Sequence, residues 1–531
     1  MLKSKNISTL LGDYNSMGSE NTGRLRKFAE IMQADRRHPL VIQDGLTKYA
    51  AMLNGDTGYI AEDRVSPVAS LPSYADLPLV ADEAEAARLS SLVEVVNLNG
   101  GLGTSMGLKN KAKTLLPVKE DTEGKPLSYL DVIARQIRHN PAASHAFMNS
   151  DHTEADTLAY LRQNHADIQV ESFLQNRYPK IDRETRAPVN PAEYKGDDAS
   201  NPPGTGEIYT VLALNGLLDK WLAAGRKYIF ISNGDNLAGI LDPRIVKYLA
   251  ANDLPLLMEA AERTPNDMKG GHLVWTEAEP GARRLTLRES GQVDPADVWY
   301  VEQKDGKELK HTYGEDIQKH KYFNTNNIWI NVQVLKDLLK KYDNLLPLSL
   351  ILNKKEITDI AGNKVPVYQL ESALGSVISL IAGAAALVVP KDRFAPTKKN
   401  SDLLLISSNV YDPIGPDGVL HLHESLRSGQ LPEIKLDEKY FTKYQDYKER
   451  VEFAPGLLAC AKLTVNGDVY FGQGVVLVGE VLIDNTVILK NGVLVPNDKA
   501  LPVTLRNITI TGQPGYKYVQ DEKGNIVQVK I

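Results

Sequence analysis

Between residues 463 and 495 an apolar side chain recurs at every sixth position, in two interleaved series. Leu463, Val469, Val475, Val481, Val487 and Val493 form the first; Val465, Phe471, Leu477, Ile483, Leu489 and Val495 form the second, offset by two. In a chain that is 42% apolar, twelve such hits arise by chance at about 0.42 to the twelfth power, far below one time in a thousand. A hexad repeat is the signature of a parallel β-helix, whose coils stack their apolar residues on one another. The repeat starts at about 460 and predicts a C-terminal domain, 401–531, that acts as scaffold and assembly surface. It is specific for structure and says little about chemistry.

Ahead of it, residues 91–400 alternate short apolar strands with helical patterns. VEVVNL (93–98), HAFMNS (145–150), DIQVESF (167–173) and KYIFISN (227–233) read as strands. LSYLDVIARQI (127–137), TEADTLAYLRQ (153–163) and GLLDKWLAA (216–224) read as helices. This rhythm predicts an α/β domain with a mostly parallel sheet. In such sheets ligands bind at the carboxyl ends of the strands. Residues 1–90 read as a helical arm followed by a linker. Leu25, Phe28, Ile31 and Met32 share a helix face, and Pro67, Pro72 and Pro78 break up the polar stretch beyond. No chemistry is legible there. From Ser372 to Val389 no residue is charged, yet three serines, two glycines and Pro390 favour a helix over QLESALGSVISLIAG and a strand at AALVV rather than a membrane span.

Composition narrows the function. Sixty-one basic against sixty-seven acidic residues give a net charge of −6, which argues against a nucleic acid partner. A single cysteine, Cys460, excludes a disulfide framework and a cysteine-built zinc site. MLKSKNISTL lacks the apolar core of a secretory signal, so the cytosol is the expected compartment.

The first strand runs into LNGGLGTSMG, Leu98 to Gly107. A glycine-rich turn after a strand lets backbone N–H groups approach a phosphate. It is not a Walker A loop, and the dinucleotide pattern fails because Met106 stands where its third glycine belongs. The loop is a nucleotide loop of another kind or a tight turn. Lys109, Lys111, Lys113 and Lys119 come next, either as a solvated run or as a positive field beside a polyphosphate. KYIFISN ends in GDN, so Asp235 stands just past a strand end. There it can hold Mg²⁺ through one carboxylate, or cap the next turn. PPGTGEIY (202–209), MKGGHL (268–273) and YFNTNNIW (322–329) place Gly and Asn at strand ends, which suits hydroxyl recognition or turns. HLHE (421–424) offers two histidines without a third ligand and reads as surface.

Taken in order, LNGGLGTSMG, LQNRYPKI, PPGTGEIY, ISNGDNL, DMKGG, FNTNNIW, YQLESALG, RFAPTKKNSDLLLISSN, FTKYQDY and GDVYFG resemble the eukaryotic-type UDP-glucose pyrophosphorylase family over about 95–490. The resemblance implies a glycosyltransferase-A-like, Rossmann-like nucleotide-binding domain with a mixed sheet, followed by a left-handed parallel β-helix. It implies conversion of UTP and glucose 1-phosphate to UDP-glucose and pyrophosphate, with Mg²⁺. By the match, Leu98, Asn99, Gly100 and Gly101 hold uridine and phosphates, and Met148, Gln175 and Gly204 line the uracil. Asn233, Gly271, Glu289, Asn324 and Asn326 face the sugar, Asp235 binds the metal, and Lys113 and Lys398 neutralise the phosphates.

Two departures stand out. Where the family usually has His after PPG, this chain has Thr205, which can hydrogen-bond a phosphate but carries no charge. The stretch from Gly107 to Lys113 is one residue longer than usual, so Lys111 or Lys109 could take the role of Lys113. Rival readings are a UDP-N-acetylhexosamine or broad UDP-sugar pyrophosphorylase, and a non-catalytic UDP-sugar-binding protein. A homo-oligomer formed through the C-terminal β-helix is a further expectation, with neither nucleic acid nor membrane as partner.

Overall fold

The computed structural model describes residues 7–531 except 102, 109–110, 265–267, 269, 280, 305–306, 427–429 and 498–501. Its centre is a ten-stranded sheet. The strands are β1 (Val65–Pro67), β2 (Val93–Leu98), β3 (Ser144–Asn149), β4 (Glu171–Leu174), β5 (Tyr228–Asn233), β6 (Leu256–Glu262), β7 (His272–Glu279), β8 (Ala282–Arg288), β9 (Tyr322–Asn331) and β10 (Ala385–Val388). In the order β4-β3-β2-β5 they run parallel, as the alternating pattern predicts. Beyond β5 the sheet turns antiparallel: β9 opposes β5, β6 and β7, β8 opposes β7, and β1 closes the edge on β7. Only β10, beside β6, is again parallel to its neighbour. The sheet is thus mixed, as the family resemblance implies, where the alternating pattern alone predicts mostly parallel strands. Among the described residues the chain reaches β9 through two hairpins, β7–β8 and Val298–Lys304 with Lys307–Thr312, and not through a crossover helix, and a strand reached that way can reverse direction.

The helices obey their sequence signals. Tyr129–His139 starts at a capping box between Ser128 and Asp131 and buries Leu130, Ile133, Ala134 and Ile137 on one stripe. Strand β2 is buried at every position, as a strand covered on both faces must be. The uncharged stretch departs from expectation. Lys364–Glu371 is a strand paired with Ile351–Thr358, and Leu374–Leu380 is a 3₁₀ helix, not a long α-helix; the strand at Ala385–Val388 is present. Gly375 lets this turn pack close against β8, because a Cβ there would lie 2.4 Å from Leu287 Cδ2. Among the described residues no helix is long and apolar enough to cross a membrane.

Strand β9 carries a bulge. Its pairing with β6 shifts register between Met258 and Ala260, opposite the NTNN segment, and Asn326 sits at φ 63°. A bulge re-aims side chains, and asparagine tolerates the left-handed region better than most residues.

The C-terminal strands pair in parallel: Glu433–Leu436 with Lys462–Val465, Leu463–Asn466 with Val481–Asp484, and Val476–Gly479 with Thr509–Gly512. The first eight hexad positions, from Leu463 to Ile483, are buried. The last four are not. Val487, Leu489, Val493 and Val495 lie in an antiparallel hairpin, and Val493 is 61% exposed. This stack is not a separate bead. Its Cys460, Leu463 and Phe471 share one core with Met106 of the glycine loop and with Leu130 and Ile133.

The arm before residue 90 also packs closely. Leu25, Phe28 and Met32 of helix Gly18–Ala34 are buried, and Phe28 packs between Tyr49 and Tyr178, whose hydroxyl donates to Asp44. The connector beyond is more than a linker. Glu62 accepts hydrogen bonds from Arg288 and His320 and pairs with Lys319 at 2.6 Å.

Candidate active site

The carboxyl ends of β2 and β5 lie side by side, so the glycine loop and the GDN turn face one cleft. Gly234 N–H donates to Leu98 O at 2.9 Å and locks the two strand ends together. Asn99 then pins the loop. Its N–H bonds Met148 O, its amide donates to Asn149 Oδ1 (2.7 Å) and Thr157 Oγ1 (2.9 Å), and its oxygen accepts from Thr114 Oγ1 (2.7 Å). Both amide hydrogens are therefore engaged, and what the loop offers a ligand is backbone at Gly100 and Gly101. A Cβ at Gly100 would sit 2.5 Å from Gln175 Oε1, whereas Gly101 has nothing within 4 Å. Gln175 Nε2 in turn donates to Gly204 O at 3.1 Å. Gly204 adopts φ 86°, and a Cβ there would meet Ser372 O at 2.4 Å. Leu98, Gly100, Gln175 and Gly204 are thus brought together. Met148 is 1% exposed and belongs to the core beneath; its carbonyl is the part that touches the loop. The Thr205 hydroxyl accepts from Leu374 N–H at 3.0 Å, tying this wall to the turn that replaced the expected helix. Behind the wall, burial pushes the Glu207 carboxyl up to about 8, against the N–H of Asn176.

Asp235 follows Gly234 in the turn. Lys113 Nζ lies 2.6 Å from its Oδ2, with the lysine side chain 9% and the aspartate 24% exposed. Lys111 is exposed, Lys119 is buried and donates to Ser408 O, and Lys109 lies outside the described residues. Of the described lysines in this run, Lys113 is the one that reaches the acidic strand end. Among the described residues there is no cluster of three or more His, Cys, Asp or Glu that could enclose a metal, including at HLHE. A lone carboxylate at the mouth of a cleft suits Mg²⁺, which takes one or two carboxylates and fills its shell with substrate phosphates and water.

A third segment crosses this corner. Thr397 N–H donates to Asp235 O at 3.3 Å, and Ser105 Oγ of the glycine loop donates to Lys398 O at 2.9 Å. Lys398 itself is exposed, and its N–H and that of Lys399 both bind Asp402 Oδ2 at 2.8 Å. The antiparallel side supplies a continuous polar patch. Asn326 Nδ2 donates to Asn233 Oδ1 (2.8 Å), Asn326 N–H to Asn324 Oδ1 (2.8 Å), and Asn324 N–H to Gly271 O (2.9 Å). Gly271 faces Glu289, whose Oε2 would be 2.4 Å from a Cβ there. Burial raises the Glu289 carboxyl, and the charge of Lys398 pulls it the other way. Sequence reasoning missed Ser105, Asn236 and Asn327; a serine and two asparagines inside motifs already marked for other residues gave no separate signal.

Comparison with known proteins fits this geometry. The family model described as UTP–glucose-1-phosphate uridylyltransferase matches residues 45–478. The chain belongs to this family. A Dictyostelium discoideum UTP–glucose-1-phosphate uridylyltransferase is 33% identical over 425 residues, 79% of each chain, and the Saccharomyces cerevisiae protein of that name is 34% identical over 80% of this chain and 78% of its own. Among solved structures, the Trypanosoma brucei UDP-glucose phosphorylase matches with a TM-score of 0.77 and 36% identity, covering 94% of this chain and 100% of that one. A Leishmania major UDP-glucose pyrophosphorylase variant in complex with UDP-glucose matches with a TM-score of 0.78 and 32% identity over 94% of this chain and 99% of its own. In this uridylyltransferase-family chain Lys113 is in contact with Asp235.

Proposed function

We propose that this chain makes UDP-glucose and pyrophosphate from UTP and glucose 1-phosphate, reversibly. The observation that carries the reading is the meeting of Lys113, Asp235 and the Lys398 segment where β2 and β5 end. The nucleophile, a sugar phosphate oxygen, is already an anion and needs no strong base. The difficulty is to bring two polyanions into line, so positioning and fixed positive charge supply most of the catalysis. Backbone at Gly100 and Gly101 takes the nucleotide, with Gln175 and Gly204 against the uracil. Asn233, Asn324, Asn326, Gly271 and Glu289 orient the sugar, whose hydroxyls need both donors and acceptors. Lys398 meets charge on the attacking and transferred phosphates, and Lys113 turns from Asp235 to the departing pyrophosphate. Mg²⁺ held by Asp235 would add charge neutralisation on the nucleotide phosphates. Thr205 replaces a cation with a hydroxyl, so the burden on the lysines is greater here.

Further parts of the reading are of the same kind. We infer a glycosyltransferase-A-type catalytic domain within 91–400, an arm over 1–90, and a left-handed β-helix in 401–531, supported by the parallel C-terminal pairings. The single buried thiol accords with a cytosolic enzyme. The exposed hairpin at Val493 accords with homo-oligomers formed through that end. Pyrophosphate release from UTP with a panel of glucose, galactose and N-acetylglucosamine 1-phosphates, with and without EDTA, tests the reading. Glucose dependence abolished by EDTA is expected. Preference for N-acetylglucosamine 1-phosphate moves the chain to the acetylhexosamine enzymes, and no release with any sugar leaves a binding protein.

A further inference from the structure

The segment that carries Lys398 is fastened to the strand end that carries Asp235 by the backbone bond from Thr397 and by one buried carboxamide. Asn236 is 3% exposed. Its Oδ1 accepts the Ala395 N–H at 2.9 Å, and its Nδ2 donates to Asn327 Oδ1 at 3.2 Å. An isolated antiparallel bridge joins Asn236 to Pro396. Asn327 is 0% exposed and passes the link on, donating to Glu259 Oε2 (3.2 Å) and to the carbonyl of Arg393 (3.4 Å). Arg393 closes the circuit on the same Glu259 through two bonds, at 2.7 and 3.0 Å. The space is tight: a Cβ at Gly239 would lie 2.7 Å from Asn327 Oδ1 and 3.0 Å from Asn236 Nδ2.

We infer that Asn236 is a positioning residue, which sets the distance between the Asp235 carboxylate and the Lys398 segment. Asparagine suits the task because one short side chain must both accept a backbone N–H and donate to a second amide. Aspartate would keep the first bond and lose the second; alanine would lose both. Asn236 spends its carboxamide on Ala395 and Asn327 rather than on the glycine loop, so its loss leaves the nucleotide contacts of that loop intact. The inference rests on the proposed function for its kinetic consequence. A displacement of about 1 Å at a reacting group costs on the order of 100-fold in rate.

Asn236→Ala and Asn236→Asp are compared with the parent full-length protein for kcat, for KM of UTP and glucose 1-phosphate, and for UTP affinity by calorimetry. The expectation is a fall in kcat of about 100-fold for alanine and about tenfold for aspartate. UTP affinity and both KM values should stay within about threefold of the parent, a split that general loosening of the fold does not produce. Should Asn236→Ala fail to fold, Gly239→Ala pushes the same pair apart with both amides retained and is expected to show the same split. A kcat within about threefold of the parent, or a kcat that falls together with UTP affinity, overturns the inference. Amide hydrogen exchange over residues 394–399 decides the point without turnover: faster exchange in Asn236→Ala than in the parent upholds it, and unchanged exchange sinks it. If the parent releases no pyrophosphate, the functional reading fails while the exchange result still stands.

Discussion

On the parallel side of β5 the chain meets the cleft as backbone; on the antiparallel side it meets it as side chains. Gly100, Gly101 and Gly204 leave no Cβ between main chain and ligand, and the groups around them spend their amides on structure, Asn99 on holding the loop and Gln175 on Gly204. Across the seam, Asn233 and Glu289 stand at the ends of β5 and β8, and Asn324 and Asn326 lie where a bulge shifts the register of β9. The difference matches the proposed ligands. Phosphates are bound well by N–H groups that can come close, whereas a sugar is told from its epimers by hydroxyls that demand placed donors and acceptors. The two sides are also held differently. Neutral side-chain amides and packing fix the nucleotide side, while the connector's charged Glu62 clasps the other through Arg288, Lys319 and His320.

The contrast can be broken at its seam first. Lys398→Ala should lower kcat by about 100- to 1,000-fold while UTP affinity by calorimetry stays within about threefold, because the lysine is asked to act on charge that develops in the transition state. Loss of UTP binding along with turnover would place Lys398 on the nucleotide side instead.

Acid should then attack one side. Burial works to raise the Glu62 carboxyl, but hydrogen bonds from His320, Lys319 and Arg288 bring it down from 4.5 to about 2. A carboxyl depressed in the folded state contributes stability above its unfolded value. That contribution, about 3 kcal/mol for such a shift, is lost as pH falls from 4.5 towards 2. Denaturant midpoints measured against pH should slope over that window and flatten in Glu62→Gln; an identical slope in the variant removes Glu62 from the account.

Smaller effects should separate the two sides by substrate. Gly100→Ala drives a methyl against Gln175 and is expected to raise the KM for UTP about tenfold, with that for glucose 1-phosphate unchanged. Asn326→Ala removes the bond to Asn233 and is expected to raise the KM for glucose 1-phosphate about fivefold, roughly one net hydrogen bond, with that for UTP unchanged. If each variant weakens both substrates equally, the division of labour is wrong.

The division was partly legible in the sequence. Strand-end glycines and Asp235 stood out because a buried apolar run such as VEVVNL must end in a turn, and few residue types make one so tight. The buried amides did not. Asn236 and Asn327 look in sequence like loop residues, and only the crossing of two distant segments gives them partners. Glu62 was hidden just ahead of the prolines that read as linker. The hexad repeat misled at its end for an arithmetical reason: six is a multiple of two, so the alternation of the plain hairpin at Val487–Pro496 satisfies the same count. The uncharged stretch around Gly375 misled because full burial erases the polar side that would have revealed its period.

The C-terminal stack shares its core with the glycine loop, and the chain's sole thiol lies in that shared core. Cys460 is 5% exposed, and burial pushes its thiol up to about 11. At neutral pH it therefore reacts only when that core opens. The protein thus carries its own clock. The rate at which a small disulfide reagent labels native protein counts openings of that shared core, and a change in that rate on adding UTP would report whether events at the glycine loop are felt in the core beneath it.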